Sequence, residues 1–330
     1  MGSLQHKTHK TSRGFTYTYY VSNPTDSKIT LLFQHGFPDD AHLWDKIVSK
    51  LTEFRLVVPD LLGYSGTSKP TDLTAYSSAG LTQDLVDILD AEGIDKVISI
   101  GHDWGSFVAQ RLYNYHQDRV EGLILLNVPY MLPPESPPNL KQTNDYLEKV
   151  MGAPLLGYQE FFITDEAPIV LKEHLDRFYQ AIHGAPVGWT KEWWCARDKL
   201  RKWLLEEKQE VELLSYAQDP ELKRAFIERF QRDGFEAPLC YYKASSSNVQ
   251  YDSEKALGHD SLAVRVPLLY ISCTHDPICR GEFMAPAKEK GLLHDLEEVT
   301  IDSRHWSPLE KPDEIAVLIR SFLEKRFASK

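Results

Sequence analysis

Short apolar runs alternate along this chain with longer stretches in which apolar residues recur every three or four positions. The runs fall at 30–34, 55–60, 98–100, 120–126, 267–272 and 296–301. Their length and near-continuous apolar character predict strands buried on both faces. Residues 14–22 alternate instead and are rich in Thr and Tyr, which predicts an antiparallel strand or hairpin arm. Between the runs, helical spacing predicts helices near 41–51, 76–92 (Leu81, Leu85, Ile88 and Leu89 on one face), 104–115, 281–290 and 308–326. Strand–helix alternation of this kind predicts an α/β fold with a mostly parallel sheet, whose sites lie at the carboxyl ends of the strands.

The rhythm stops at Pro129. Pro133, Pro134, Pro137 and Pro138 predict a stiff, turn-rich hinge. From 140 to 250 no strand pattern appears. Helical segments rich in charge and aromatics are expected at 158–162, 170–182, 190–206 and 219–232, followed by a Ser-Ser-Ser-Asn loop at 245–248. The expected organisation is a core in two parts, 1–131 and 256–330, interrupted by a helical cap at 132–255.

Composition narrows the setting. The chain has 330 residues and a formal net charge of −11. An acidic chain argues against nucleic acid and against an anionic membrane surface as partners. No apolar run is long enough to span a bilayer. The four cysteines, Cys195, Cys240, Cys273 and Cys279, form no CxxC or Cys/His metal spacing, so they are expected to be buried free thiols. Residues 1–13 are polar and basic with no apolar signal-peptide core, His6 stands where a myristoylation signal wants Ser or Thr, and Ala328-Ser329-Lys330 is not a peroxisomal tripeptide. The expectation is cytoplasmic, with no metal and no cofactor, and with the oligomeric state open.

One stretch carries the chemistry. Ile98-Ser99-Ile100-Gly101-His102-Asp103-Trp104-Gly105-Ser106 reads as strand, tight turn and helix, the layout of a nucleophile elbow. Gly101 and Gly105 leave room for strand and helix to approach closely. The central residue is Asp103, so the nucleophile is a carboxylate. A nucleophile needs a base, and the base an orienting group. His305, in Asp302-Ser303-Arg304-His305-Trp306, follows an expected strand. Asp276, in Thr274-His275-Asp276-Pro277, ends the preceding one. Asp276 is placed to accept the Nδ1–H of His305 and leave Nε2 free as base. The order nucleophile, acid, histidine, each just after a strand, ties the three together. His35-Gly36-Phe37-Pro38 also ends a strand, and the backbone N–H groups of Phe37 and Trp104 are candidates for an oxyanion hole. Pro38 is placed to fix that turn, where a cis bond is available to it.

These motifs resemble the α/β-hydrolase superfamily and, within it, the epoxide hydrolases. The resemblance rests on 35–38, 101–105, Asp276 and His305-Trp306 ahead of Glu310-Lys311-Pro312, and covers about 14–326. The family usually has Gly before the catalytic histidine, whereas here Arg304 stands there. The resemblance implies that Asp103 attacks an epoxide carbon, that His305 and Asp276 activate water to hydrolyse the resulting ester, and that two cap tyrosines hydrogen-bond the ring oxygen. Tyr158-Gln159 followed by aromatics is similar to the family's first tyrosine segment, and Tyr241-Tyr242-Lys243 to the second. That alignment selects Tyr242, with Tyr241 packing beside it. His35, Pro38, Tyr241 and Trp306 are expected around the pocket of a small-molecule epoxide. Two other readings compete. A haloalkane or haloacid dehalogenase shares the Asp elbow but wants N–H donors for a halide, and in one subgroup carries its acid near Asn127 rather than at 276. A non-catalytic receptor of the same fold often lacks members of the triad.

Overall fold

The computed structural model describes residues 1–2, 4–24 and 26–327; the Ala328-Ser329-Lys330 tripeptide lies outside them. Eight strands form one sheet: β1 (Gln5–Lys10), β2 (Thr16–Val21), β3 (Thr30–Gln34), β4 (Arg55–Pro59), β5 (Val97–His102), β6 (Val120–Leu126), β7 (Leu268–Cys273) and β8 (Leu296–Ile301). Their spatial order is β1-β2-β4-β3-β5-β6-β7-β8. β1 pairs antiparallel with β2, and β2 with β4. Every later pairing is parallel. The runs read as buried strands are buried: all residues of β3 and β5 are shielded from solvent. No apolar alternation announces β1, whose sequence QHKTHK gains its place by pairing along the edge.

Helices Ser78–Ala91 and Trp104–Tyr115 agree with the spacing that predicts them. Three helices expected in the core are broken. Residues 41–51 form a 3₁₀ turn, Ala41–Trp44, followed by a single helical turn, Asp45–Val48. The segment 281–290 divides in the same way at Met284 and Ala285. The last helix divides into Ser307–Glu310 and Pro312–Phe327. Pro286 and Pro312 sit in the first turns after such breaks, where the missing N–H costs nothing.

Between β6 and β7 the described residues form only helices, turns and two isolated bridges, Gly184 with Leu213 and Val264 with Leu293, which lies past β7. A helix that the sequence reading passes over, Leu140–Met151, is capped by the Asn139 side chain and ended by Gly152 at φ 73°. The segment 190–206 breaks into a π-helical turn, Lys191–Cys195, and a helix, Lys199–Leu205. The expected 245–248 loop shrinks, because helices Cys240–Ser245 and Asn248–Glu254 close in on it and Ser247 caps the second. The helical insertion is fastened to the rest of the fold by buried charge. Arg111 pairs with Glu254 at 2.9 Å and Arg229 with Asp40 at 2.6 Å.

Candidate active site

The carboxyl ends of β3, β5, β6, β7 and β8 and the loops behind them build the site. Asp103 sits between β5 and the Trp104–Tyr115 helix at φ 56°, ψ −125°, a left-handed conformation costing on the order of 1–3 kcal/mol for a side chain with a Cβ. The turn is possible because its neighbours are small. A Cβ on Gly105 would lie 1.9 Å from the Gln34 carbonyl oxygen, and one on Gly36 would lie 2.3 Å from Asp103 Oδ1. The second approach puts the backbone of the 35–38 loop directly against the carboxylate. There the Phe37 N–H donates to Asp103 Oδ1 at 2.7 Å. The Phe37–Pro38 peptide is cis, and the Pro38 carbonyl accepts from Arg229 at 2.7 Å.

His305 lies across from Asp103. Its Nε2 is 3.5 Å from Asp103 Oδ2, and its Nδ1 is 2.7 Å from Asp276 Oδ2. Asp276 is buried and saturated with donors. Asn127 Nδ2 donates to Oδ2 at 2.9 Å, and the amides of Ile278 and Cys279 donate to Oδ1 at 3.0 Å. Asn127 is in turn held by the Ser307 hydroxyl at 2.9 Å. Burial raises the Asp276 pKa, but the His305 charge and these hydrogen bonds more than offset it and hold the carboxyl below its usual range. For His305, burial works against the charged ring. The Asp276 carboxylate, with help from the hydrogen bond to Asp103, outweighs it and raises the pKa well above that of a free histidine.

Two other histidines adjoin the site and behave oppositely. Burial pushes His35 and His102 down to about 4. His35 accepts from the Leu61 amide at Nε2 (2.9 Å), so its Nδ1–H donates to the Gly36 carbonyl (3.0 Å). Both ring nitrogens are committed to backbone, and they staple the loop that carries Phe37. His102 donates to the His305 carbonyl at 2.7 Å.

The tyrosines separate. The Tyr158 and Tyr242 rings lie 5.9 Å apart, edge to face, and Tyr242 also meets Phe37 and Trp104 at 5.2 Å. Burial raises both phenol pKa values, and the negative charge of Asp103 adds to it in each case. Both hydroxyls therefore keep their protons. Tyr241 is buried too, but the charges it feels are those of Asp84 and Arg13 on the far side. Its ring is packed among Tyr64, Tyr76 and Trp104. The packing expected of Tyr241 beside Tyr242 is made with these three rings. Trp306 stands beside His305 with ring centres 4.8 Å apart and donates its indole N–H to Asp39 at 3.1 Å. Burial, opposed by Arg229 and reinforced by Asp40 and Asp103, pushes Asp39 up to about 7.

Asn127 is the main participant that sequence reasoning did not place in the site. Its signal was position: it directly follows β6, at φ 64°, on the next strand end beside the elbow. Asp276, Cys279 and His305 offer metal-ligating atoms within 4.8 Å of one another. The 2.7 Å bond between Asp276 and His305 already uses two of them. A surface cleft of about 570 Å³ opens behind this group between residues 186–191 and 272–282. Asp103 does not line it, so the cleft backs onto the acid rather than holding the nucleophile.

A carboxylate on a strained turn, a histidine between two carboxylates, a backbone donor and two protonated tyrosines together suit nucleophilic hydrolysis. Comparison with known proteins agrees. The family profile described as alpha/beta hydrolase fold matches residues 29–312. The chain belongs to the alpha/beta hydrolase fold family. It is 28% identical over 336 residues to the epoxide hydrolase srdG of Neurospora crassa, covering 95% of this chain and 93% of that one. It is 28% identical to epoxide hydrolase A of Mycobacterium tuberculosis, covering 89% of each. It also matches the mouse bifunctional epoxide hydrolase 2 at 26% identity, and spans 50% of that longer protein. Among solved structures, the epoxide hydrolase from Vigna radiata superposes with a TM-score of 0.78 at 22% identity, covering 98% of this chain and 99% of that one. Epoxide hydrolase A from Mycobacterium thermoresistibile gives 0.78 at 23%, covering 97% and 98%. At these identities the structural matches speak for the fold.

Proposed function

We propose that this chain is an epoxide hydrolase that converts a small-molecule epoxide to a vicinal diol through an ester on Asp103. The observation that carries the proposal is the pairing of Tyr158 and Tyr242, both buried and both within the field of Asp103. An epoxide opens to an alkoxide, and two protonated phenols facing the nucleophile are suited to donate to that oxygen. With Oδ1 held by Phe37, Oδ2 attacks a ring carbon, the C–O bond breaks, and the oxygen takes a proton from the tyrosine pair. His305 then removes a proton from water, and the hydroxide attacks the ester carbonyl carbon. The oxyanion forms where the Phe37 N–H already points. The Trp104 amide, in the first helical turn and without an intrahelical acceptor, is the second donor. Collapse breaks the ester C–O bond; the proton on His305 and the one left on the Asp103 carboxyl pass to the departing alkoxide and the tyrosinate, which releases the diol and restores Asp103, His305 and the tyrosine pair.

The electrostatics support this order. His305 has its pKa raised by two carboxylates while Asp103 is free. Forming the ester removes the Asp103 charge, which lowers the His305 pKa at the step where it serves as base. The proposal includes the cap as residues 132–255, the part of the chain that supplies both tyrosines, and Pro38 and Trp306 as pocket residues. It also includes a cytoplasmic setting, supported by four buried free thiols and by the absence, among the described residues, of a helix long and apolar enough to cross a membrane.

The test is a single turnover of an aryl epoxide in heavy-oxygen water with enzyme in excess. The expected diol carries an unlabelled oxygen from Asp103, and His305→Gln accumulates an adduct of substrate mass on Asp103. Label entering that first diol directly would replace the covalent route with direct attack by water. Halide release from a haloalkane without epoxide turnover would move the chain to the dehalogenases.

A further inference from the structure

Arg304 occupies the position where the resemblance leads one to expect Gly, and its side chain turns away from the base. Its guanidinium reaches the helical insertion, where Nη1 donates to the Gly184 carbonyl at 2.7 Å and Nη2 donates to the Ala185 carbonyl. Both carbonyls lie just past the helix Leu175–His183, at the negative end of its dipole. The acceptor segment is itself fixed. Gly184 bridges to Leu213, and the Ala185 amide donates to the Glu212 carbonyl at 2.7 Å. Arg304 forms no ion pair with a carboxylate among the described residues, so the fork is spent on these two carbonyls.

On its other side the same loop is held to the core. Glu310 accepts from the Arg304 amide at 2.9 Å and from the Ser303 hydroxyl at 3.0 Å. His102 holds the His305 carbonyl at 2.7 Å. The short segment carrying His305 is therefore stretched between two anchors, one in the core and one in the insertion. The ring packing follows the same line: Trp306 meets His183, which precedes the Arg304 acceptors, at 5.4 Å between ring centres. Only 3.5 Å separates His305 Nε2 from Asp103, so a small drift of the loop changes that geometry directly.

We infer that Arg304 is a positioning residue for the hydrolytic half of the reaction, strapping the His305 loop to the insertion. The inference rests on the ester route proposed above. In that route kcat/KM reports binding and ring opening, whereas hydrolysis of the ester enters kcat alone. Loss of the strap misplaces the base and leaves the nucleophile and the tyrosines where they are. Misplacement on this scale costs about 10- to 100-fold.

The experiment compares Arg304→Ala and Arg304→Lys with the unaltered protein. It uses steady-state kinetics, intact-protein mass spectrometry during turnover, and thermal melting to confirm folding. In Arg304→Ala, kcat and KM are expected to fall together by about 10- to 100-fold, with kcat/KM unchanged and an ester accumulating on Asp103. Arg304→Lys, which keeps the charge and one carbonyl bond, is expected to recover part of kcat. A fall in kcat/KM without ester accumulation would overturn the inference, because the strap would then be serving the tyrosines or the pocket. Unchanged kcat would overturn it as well, and so would a lysine variant as slow as the alanine variant. If the unaltered protein forms no unlabelled-oxygen diol in the single-turnover test, the ester route has failed independently of Arg304.

Discussion

The two sides of the site are held by different physics. On the sheet side, Asp276 takes bonds from His305, Asn127 and the amides of Ile278 and Cys279. On the insertion side, Tyr242 is bounded by the rings of Phe37, Trp104, Tyr158 and Phe162. Directional hydrogen bonds from strand ends and tight turns fix atoms to within tenths of an ångström. Ring packing fixes a shape, while the Tyr158 hydroxyl accepts from Gln159 at 3.1 Å and that of Tyr242 from the Trp104 side chain, so each keeps its own O–H to donate. Under the proposed route a division of labour follows: proton transfer to and from His305 would depend on the rigid side, and recognition of the epoxide oxygen on the packed side.

The largest blow to this comparison is removal of the atom both sides converge on. Asp103→Ala is expected to cost at least about 10⁴-fold in turnover, measured with an aryl epoxide while circular dichroism confirms folding. A residual rate within tenfold of the original would mean that neither side serves Asp103.

Next is the rigid side alone. Asp276→Asn is expected to lower kcat by roughly 10³- to 10⁴-fold, with the ester accumulating. It also carries a pH signature. The Asp276 pKa is lowered by folding, so its contribution to stability is present above its unfolded value, about 4, and is lost as pH falls. The His305 pKa is raised, so its contribution is full below about 6.5 and is lost as pH rises through the folded value. The stability gap between the two proteins in urea melts should therefore be widest between about pH 4 and 6.5. A gap that widens steadily above that range would contradict the raised pKa of His305.

The packed side gives a smaller loss and a sharper contrast. Tyr242→Phe removes one donor and is expected to slow ring opening by about 10²-fold, whereas Tyr241→Phe should leave it within twofold (~2) of the original. Stopped-flow tryptophan fluorescence reads that step. The reverse ranking would place the Tyr241 hydroxyl, not that of Tyr242, against the substrate. The smallest effect concerns support for the acid. Asn127→Ala withdraws a hydrogen bond from a buried carboxylate and should cost about 1.5–3 kcal/mol of stability, read by denaturant unfolding. No loss would show that the two backbone amides suffice.

Legibility followed the same boundary. Asp103, His305 and Asp276 could be placed because each follows a strand, and strands announce themselves by local apolar runs. Asn127 could not, although it ends β6, because an Asn after a strand is an ordinary turn former until its partner is known. Tyr158 and Tyr242 were selected among many tyrosines by resemblance to a family segment, with no periodicity to mark them. His35 stands among the expected pocket residues, and the partners of its two ring nitrogens, Leu61 and Gly36, are not legible from sequence.

The sequence by itself determined the α/β alternation, the helical interruption after Pro129 and the elbow with its carboxylate. These follow from short-range patterns: apolar runs, proline placement, and glycines flanking a turn. Only the tertiary structure decided what steadies Asp276, what ties down His35, and where Arg304 reaches. Those depend on contacts between residues far apart in the chain. Arg304 to Gly184 spans 120 positions and Asn127 to Asp276 spans 149, separations at which no local pattern carries information about direction.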